Sequence, residues 1–361
     1  MRNLYTLLLG VALLTSSGLF AQSNKDIAVE KALKAITLMD SGYYDQSIEM
    51  LRECIKLDPD NYDYPYEIGY AYYSKRDYNT AIRTLEKLKN HKDVTDQCYQ
   101  LIGNAYDILG DTTNAFATYA EGIDKFPESG KLYLEYGNVY WGLERYSDAL
   151  PYYEVGIEVD PQFPSNYYRA AILYCSSNNI IWGLMYGEIF MNLERNSDRT
   201  REISERMFNA YQEAIVFGDT SVSVNLCSNT LYLDDKGIKE MKKGIMPFCF
   251  EYGAAHSVAV AMTDTLTLAS LVRLRASVLD YWFQGDFAKH HDIALIKFQK
   301  ELKDLGHYDA YNYWLFMMGD PDGFDAWVSR NQSIFDSFAN YFNPHPFEFS
   351  NKEAFHASDY R

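Results

Sequence analysis

Apolar and polar positions between residues 62 and 194 repeat with a constant step of 34. Tyr72, Tyr106, Tyr140 and Tyr174 mark the step. Gly69, Gly103, Gly137 and Ala171 keep it three residues earlier, and Ala81, Ala115, Ala149 and Gly183 nine residues later. A 34-residue step is the period of a helix-turn-helix solenoid. The small residues predict close approach of two helices within each pair. The tyrosine is then expected to fill the space towards the next pair. Residues 26 to 61 read as a weaker first unit, with Ala35 and Leu38 in phase with Gly69 and Tyr72. Ser47, Ile48, Leu51, Cys54 and Ile55 form a stripe at helical spacing on its second helix. Pro59, Pro127 and Pro161 close units, since proline cannot continue a helix. The last unit, from Pro164, is degenerate: Ile180-Ile181-Trp182 stands where earlier units have a polar turn.

The period is read as stopping after Glu194. One amphipathic helix is predicted over 199–217, with Ile203, Met207, Tyr211, Ala214 and Ile215 on one face. Residues 218–246 read as irregular, with Lys239, Lys242 and Lys243 on a solvated face. Helical patterns follow at 248–262, 265–283, 287–304, Tyr308 to Met318 and Phe324 to Phe342. Asn343-Pro344-His345-Pro346 ends helix formation, and the residues beyond read as a loose tail.

The first residues bear on compartment. Arg2, the apolar run Leu4 to Leu14 and the small residues ending at Ala21 follow the order of a secretory signal peptide. The run is shorter than the roughly 20 residues of a spanning helix. No cysteine precedes Cys54, so no lipid-modified cysteine is available at the cut. The expectation is export to the periplasm or beyond, with no membrane insertion after cleavage. The five cysteines lack a CxxC arrangement, which argues against a zinc or redox site. Export permits disulfides, and Cys227 with Cys249 is the candidate pair. With 50 acidic against 33 basic residues the net charge is -17, which disfavours a nucleic-acid partner.

The units Ile68-Gly69-x-x-Tyr72 with Ala81, Ile102-Gly103-x-x-Tyr106 with Ala115 and Pro127, and Tyr136-Gly137-x-x-Tyr140 with Ala149 and Pro161 resemble the tetratricopeptide repeat family. The resemblance covers about half the chain. It implies a helix-turn-helix solenoid over 26–194; the helical patterns beyond it predict an all-helical C-terminal domain over 199–342 and a tail over 343–361, so the expected fold is all-α. The run Tyr308 to Phe316, with Gly319-Asp320, Phe324 and Trp327, resembles C-terminal regions of exported bacterial repeat proteins of unknown role.

Catalytic and metal chemistry find little support. His290 and His291 are adjacent, so on a helix they point about 100° apart. His290-His291-Asp292 reads as a solvated helix start. Asp320, Asp322 and Asp325 lack the order of a calcium loop and read as a capping turn before Phe324. No phosphate loop, G-x-S-x-G or GxGxxG occurs. The expectation is no enzyme activity, no cofactor and no metal.

In the family the first helix of each unit lines a concave face. Phase then places Tyr66, Tyr70 and Tyr73 there, with Gln100, Asn104 and Asp107, then Leu134, Asn138 and Trp141, then Tyr168 and Ile172. Aromatics offer contact area, and asparagine can pair with a peptide backbone. Asn104 and Asn138 resemble part of the family's carboxylate-binding groove, without a Lys or Arg at Gln100, Leu134 or Tyr168. The functional expectation is a module that docks a peptide or protein partner on this face. The alternative is a subunit of a cell-envelope assembly whose groove is filled by its own C-terminal domain.

Overall fold

The computed structural model describes residues 23–218, 221–228, 246–260, 265–285 and 287–357. The expected signal peptide and the lysines at 239, 242 and 243 lie outside them. The fold is all-α. Its helices are α1 (Asn24–Asp40), α2 (Tyr44–Leu57), α3 (Asp63–Ser74), α4 (Tyr78–Leu85), α5 (Asp96–Ile108), α6 (Thr112–Lys125), α7 (Gly130–Gly142), α8 (Tyr146–Val159), α9 (Pro164–Cys175) and α10 (Ile180–Leu193). After α11 (Asp198–Ala214) and the strands β1 (Ile215–Phe217) and β2 (Val222–Val224) come α12 (Phe248–Val260), α13 (Leu268–Gln284) and α14 (Phe287–His290). The chain ends with α15 (Ala294–Asp304), α16 (Tyr308–Leu315), α17 (Pro321–Arg330) and α18 (Gln332–Phe342). Two compact units form, one ending at Ala105 and one beginning at Tyr106, so the division falls inside α5.

In the first unit α1 and α2 pack as a pair. Ala28, Ala32, Ala35 and Met39 form the buried stripe of α1 against Ile48, Leu51 and Cys54 of α2. Ser23 and Asp26 form a capping box at the start of α1. In α3, a Cβ on Gly69 would overlap the Leu85 side chain of α4. The turns within pairs need one left-handed residue, supplied by Gly42 and by Arg76 at φ 67°. The second unit repeats this with Gly110 and with Glu144 at φ 58°. These four positions keep the 34-residue step.

The residue that fills each pair is not the tyrosine expected from the sequence. Tyr72, Tyr106 and Tyr140 are half-buried; of that ladder Tyr174 alone is buried. The space is taken from the second helix, 16 residues after each small residue. Leu85 meets Gly69, and the ring of Tyr153 stands where a Cβ on Gly137 would lie 2.5 Å from Cε1. Tyr119 and Tyr153, one step apart, are both fully buried.

The second unit is organised on α10. Every residue from Ile180 to Asn192 is buried, so the helix, mostly apolar but for Glu188 and Asn192, is covered on every side. Gly183 brings it against the backbone of α9: a Cβ there would lie 2.5 Å from the Cys175 amide nitrogen. Gly187 admits Met207 and Ile203 of α11. Its N-terminus is satisfied by the segment after the hairpin, where Ile181 N donates to Leu226 O (3.0 Å). A disulfide from Cys227 to Cys249, with Cα atoms 6.2 Å apart, ties that segment to the start of α12.

Three expectations change here. First, the repeat does not stop at Glu194. α11 takes the place of a sixth first helix, and side chains one step apart hydrogen-bond: Arg199 Nη1 donates to Ser165 Oγ (3.0 Å) and Tyr168 OH to Glu202 Oε2 (2.6 Å). The buried face predicted for this helix is observed at Ile203, Met207, Tyr211 and Ala214. Second, one buried apolar cluster runs from Leu134 to Ala357, with no break between 194 and 199. The region 199–342 also carries the hairpin, pairing Ile215 with Val224 and Phe217 with Val222, so it is not wholly helical. Third, the tail up to residue 357 is packed down. Phe355 is buried against Trp182, Tyr186 and Phe248, and Ala357 N donates to Tyr186 OH (2.9 Å). Phe347 packs on Phe298 of α15. Arg195 donates to the carbonyls of Phe342 and His345, holding the hinge into this segment.

Candidate functional site

The residues expected on the binding face fall in both units. In the first, Tyr66, Tyr70, Tyr73 and Asn104 are half-buried. Tyr66 stacks on Tyr62 at 5.7 Å, and Tyr73 meets Tyr78 edge-on at 5.4 Å. Tyr70 packs against the core of the α1–α3 helices. Asp107, Leu134, Asn138, Trp141 and Tyr168 belong to the second unit, where they lie on α5, α7 and α9.

Helix α7 turns Leu134, Glu135, Asn138 and Trp141 to one side, at spacings of one, three and three residues. Leu134 is buried. Asn138 is committed within the fold: its Nδ2 donates to Glu135 Oε2 (3.0 Å), and its Oδ1 accepts from Tyr153 OH (3.2 Å). The backbone-pairing role expected for it is therefore taken. Trp141 is half-buried, with Tyr146 edge-on at 5.1 Å. The guanidinium of Arg169, from α9, lies over the Trp141 ring at 4.6 Å and near the Tyr168 ring at 5.8 Å. No carboxylate lies within ion-pair distance of Arg169 among the described residues. Arg169 was missed because the face was read at fixed phase positions. The signal was present: Arg169 follows the face residue Tyr168 directly.

Tyr168 is engaged from α11. It donates to Glu202, its ring carries Arg199 at 5.0 Å, and it packs on Phe190 at 5.3 Å. Burial, and then the Glu202 bond, push the phenol up to about 12, so it stays a donor. Burial works to raise Glu202, yet Tyr168 and Arg206 together hold its carboxyl below the usual range. Arg206 pairs with it at 2.8 Å. At the other end of the face is Asp107, on the exposed last turn of α5. Burial of its carboxyl and the nearby charge of Glu135 raise its pKa.

Two other polar clusters lie within the second unit. Glu188, at the centre of α10, receives Arg275 Nη2 on both oxygens (3.0 and 2.8 Å), Gln299 Nε2 (2.7 Å) and Tyr311 OH (2.8 Å). Burial works against the Arg275 charge, but Glu188 and the surrounding tyrosines hold its pKa well above the usual value. Next to it His256 is driven down to about 4 by burial, so the imidazole is neutral. The cluster is closed on all sides and is structural.

His291 corrects another expectation. It is buried rather than solvated, with Nε2 3.0 Å from Glu251 Oε2. Burial lowers its pKa, partly offset by Glu251. His290 Nδ1 is 3.7 Å from the same carboxylate, and Asp292 pairs with Lys297 at 2.5 Å. Among the described residues no group of three or more His, Cys, Asp or Glu is placed to hold a metal ion. Asp320 caps α17 through Gly323 N (3.0 Å), the turn expected before Phe324.

Comparison with known proteins matches residues 31–61 and 101–166 to the tetratricopeptide repeat family. A TPR repeat-containing protein of Methanocaldococcus jannaschii is 23% identical over 228 residues, 54% of this chain. The match spans 37% of that relative's length. Among solved structures, pilF of Pseudomonas aeruginosa is 14% identical, covering 53% of this chain and 86% of its own, with a TM-score of 0.44. MamA of Desulfovibrio magneticus is 16% identical, covering 49% and 99%, with a TM-score of 0.38.

Proposed function

Since the chain is a tetratricopeptide-repeat protein, we propose that it is a non-catalytic interaction module that docks a protein or peptide partner on the α7–α9 face. The observation that carries this reading is Arg169. Its guanidinium lies over one aromatic ring and near a second, its charge reaches Glu202 without a direct ion pair among the described residues, and it is placed to receive a partner's carboxylate. Trp141 and Tyr168 supply apolar area beside it, and aromatic and arginine side chains are the usual anchors of interfaces. Asp107, Leu134 and Asn138 border the same face; Asn138 contributes by fixing Glu135 and Tyr153. Tyr66, Tyr70, Tyr73 and Asn104, in the first unit, are proposed as partner-binding residues of that unit taken by itself.

The test compares capture of partners from the envelope fraction by the wild-type chain and by Arg169→Gln. Loss of a charge-assisted pair should weaken a specific complex by about 2 kcal/mol or more, on the order of thirtyfold. Equal capture by both chains would remove Arg169 from the site.

We also propose that the protein acts outside the cytoplasm. The charge, apolar run and small residues before Ala21 support export, and the Cys227–Cys249 bridge suits an oxidising compartment. Among the described residues no helix is long and apolar enough to cross a membrane. The net charge of -17 disfavours nucleic acid as a partner. Mass spectrometry of the chain isolated from its host should find it beginning at Gln22. Retention of Met1 to Ala21 would overturn the export reading.

The reading as an envelope-assembly subunit is favoured by one observation. Glu202 and Arg199 of α11 already engage Tyr168, so the face is partly occupied from within.

A further inference from the structure

The stretch from Phe347 to Ala357 is a strap that belongs to no helix or strand of the fold. Its far end is held in an aromatic socket. Phe355 lies among Trp182 and Tyr186 of α10 and Phe248, the first residue of α12, with ring centroids 5.9, 5.8 and 6.0 Å away. Ala357 N donates to Tyr186 OH (2.9 Å), and Gln162 Nε2 donates to Phe349 O (3.1 Å). Both bonds join strap backbone to a side chain, and no strand lies beyond β2 among the described residues to pair with it. Between the two points Ser350, Asn351, Lys352 and Glu353 are exposed, and Glu353 N donates to Ser350 O (2.9 Å) within their own turn. A segment attached in this way sits at the low end of local stability.

The walls of the socket come from two helices, and the Cys227–Cys249 bridge joins them. On one side Leu226 O accepts from Ile181 N (3.0 Å) and Ser228 N donates to Asn179 Oδ1 (3.1 Å). The residues flanking Cys227 are thus bonded to the start of α10, directly before Trp182. On the other side Cys249 follows Phe248. The rings of Trp182 and Phe248 stack at 6.0 Å. The covalent link therefore sets the spacing of two of the rings that receive Phe355. Cys227 is half-buried and Cys249 is buried, so an attacking thiolate reaches the Cys227 sulfur first.

We propose that the bridge is a redox catch for the strap. In the oxidised chain the socket is closed on Phe355; reduction by a dithiol loosens it, frees the strap and uncovers Trp182, Tyr186 and Phe248. The step is thiol–disulfide exchange. A thiolate of the dithiol bonds to the Cys227 sulfur, the S–S bond breaks and the Cys249 thiolate leaves. The second thiol then displaces Cys227. The dithiol is oxidised to its disulfide, and the two cysteines take up two electrons and two protons. Phe248 still meets Tyr252, Trp282 and His291 when the bridge is open, so α12 stays on the unit while its first turn gains freedom towards Trp182. The proposal does not depend on the docking reading.

Hydrogen exchange of the full chain with and without dithiothreitol tests it, with α11 as the internal control. Reduction should raise exchange over residues 350–357 on the order of tenfold and leave α11 unchanged. The double variant Cys227→Ser with Cys249→Ser should show the raised rate with or without dithiothreitol. Trypsin should cut it after Lys352 on the order of tenfold faster than the oxidised wild type. Phe355→Ala should free the strap in the oxidised chain, so that dithiothreitol adds nothing there. The proposal is overturned if reduction leaves exchange over the strap unchanged. It is also overturned if α11 rises with the strap, since the bridge would then support the whole unit. A strap that still responds to reduction in Phe355→Ala removes the socket from the argument and overturns it too. Should the double variant fail to fold, reduction of the wild-type chain decides the question by itself.

Discussion

Glu188→Ala is expected to destabilise the second unit by about 3–5 kcal/mol, because it leaves the Arg275 guanidinium buried without its counter-charge. Both side chains are 3% exposed. Removing the carboxylate also strips Gln299 and Tyr311 of their shared acceptor. Each lost partner inside a dry core carries its own desolvation cost. The effect should appear as a fall of the thermal midpoint by several degrees. The double variant Glu188→Leu with Arg275→Leu should recover much of the loss, since a buried ion pair is often replaceable by apolar side chains. Arg275 Nε has no partner among the described residues, so the pair is not fully satisfied even in the native chain. A single variant as stable as wild type would show that water reaches the cluster. A double variant no better than the single one would show that Gln299 and Tyr311 dominate the loss.

This cluster also shows what was legible and what was not. The run from Ile180 to Leu193 reads as a buried helix from its apolar content, and the second unit covers it on every side. The lone acid inside that run was a further signal. An acid that cannot reach water needs a buried base, and Arg275 lies on a helix whose Leu271, Val272, Leu274, Val278 and Leu279 are buried with it. Sequence alone could not pair them, because 87 residues separate the two and no periodic step links them.

The repeat was legible wherever residue type followed the step. Glycine, alanine and tyrosine recur visibly between residues 69 and 183. The step continues into α11 through Leu134, Tyr168 and Glu202, and through Tyr140, Tyr174 and Phe208. There the residue types change, because α11 faces the rest of the second unit instead of another repeat pair. Geometry is conserved while chemistry is not, so a search by residue type loses the phase. The tail was misjudged for a related reason. Its prolines end helix formation, but extended segments can still bury isolated aromatics such as Phe347 and Phe355, which carry no periodicity. In the candidate site, phase names Leu134, Trp141 and Tyr168 and passes over Arg169. Nor could it show that Asn138 is used internally by Glu135 and Tyr153.

Substitution of Tyr153 and of Trp141 should separate scaffold from binding face. Tyr153 is fully buried, and its ring edge fills the space above Gly137. Its hydroxyl donates to Asn138, which also fixes Glu135. Tyr153→Ala should therefore open a cavity and cost about 3–5 kcal/mol. Tyr140, which the sequence placed in that role, is half-buried under the Arg145 guanidinium and should cost clearly less. Trp141→Ala removes a half-buried ring that touches Tyr146 and Arg169, so about 1 kcal/mol is expected in stability. Its larger effect should fall on partner capture, because the ring supplies apolar area and holds Arg169 in place. Urea unfolding and capture measured on the same three variants give the contrast. If Trp141→Ala destabilises the fold as much as Tyr153→Ala and leaves capture unchanged, the face is filled from within. The assembly-subunit reading would then replace docking, with α11 as the occupant through Glu202 and Arg199 on Tyr168.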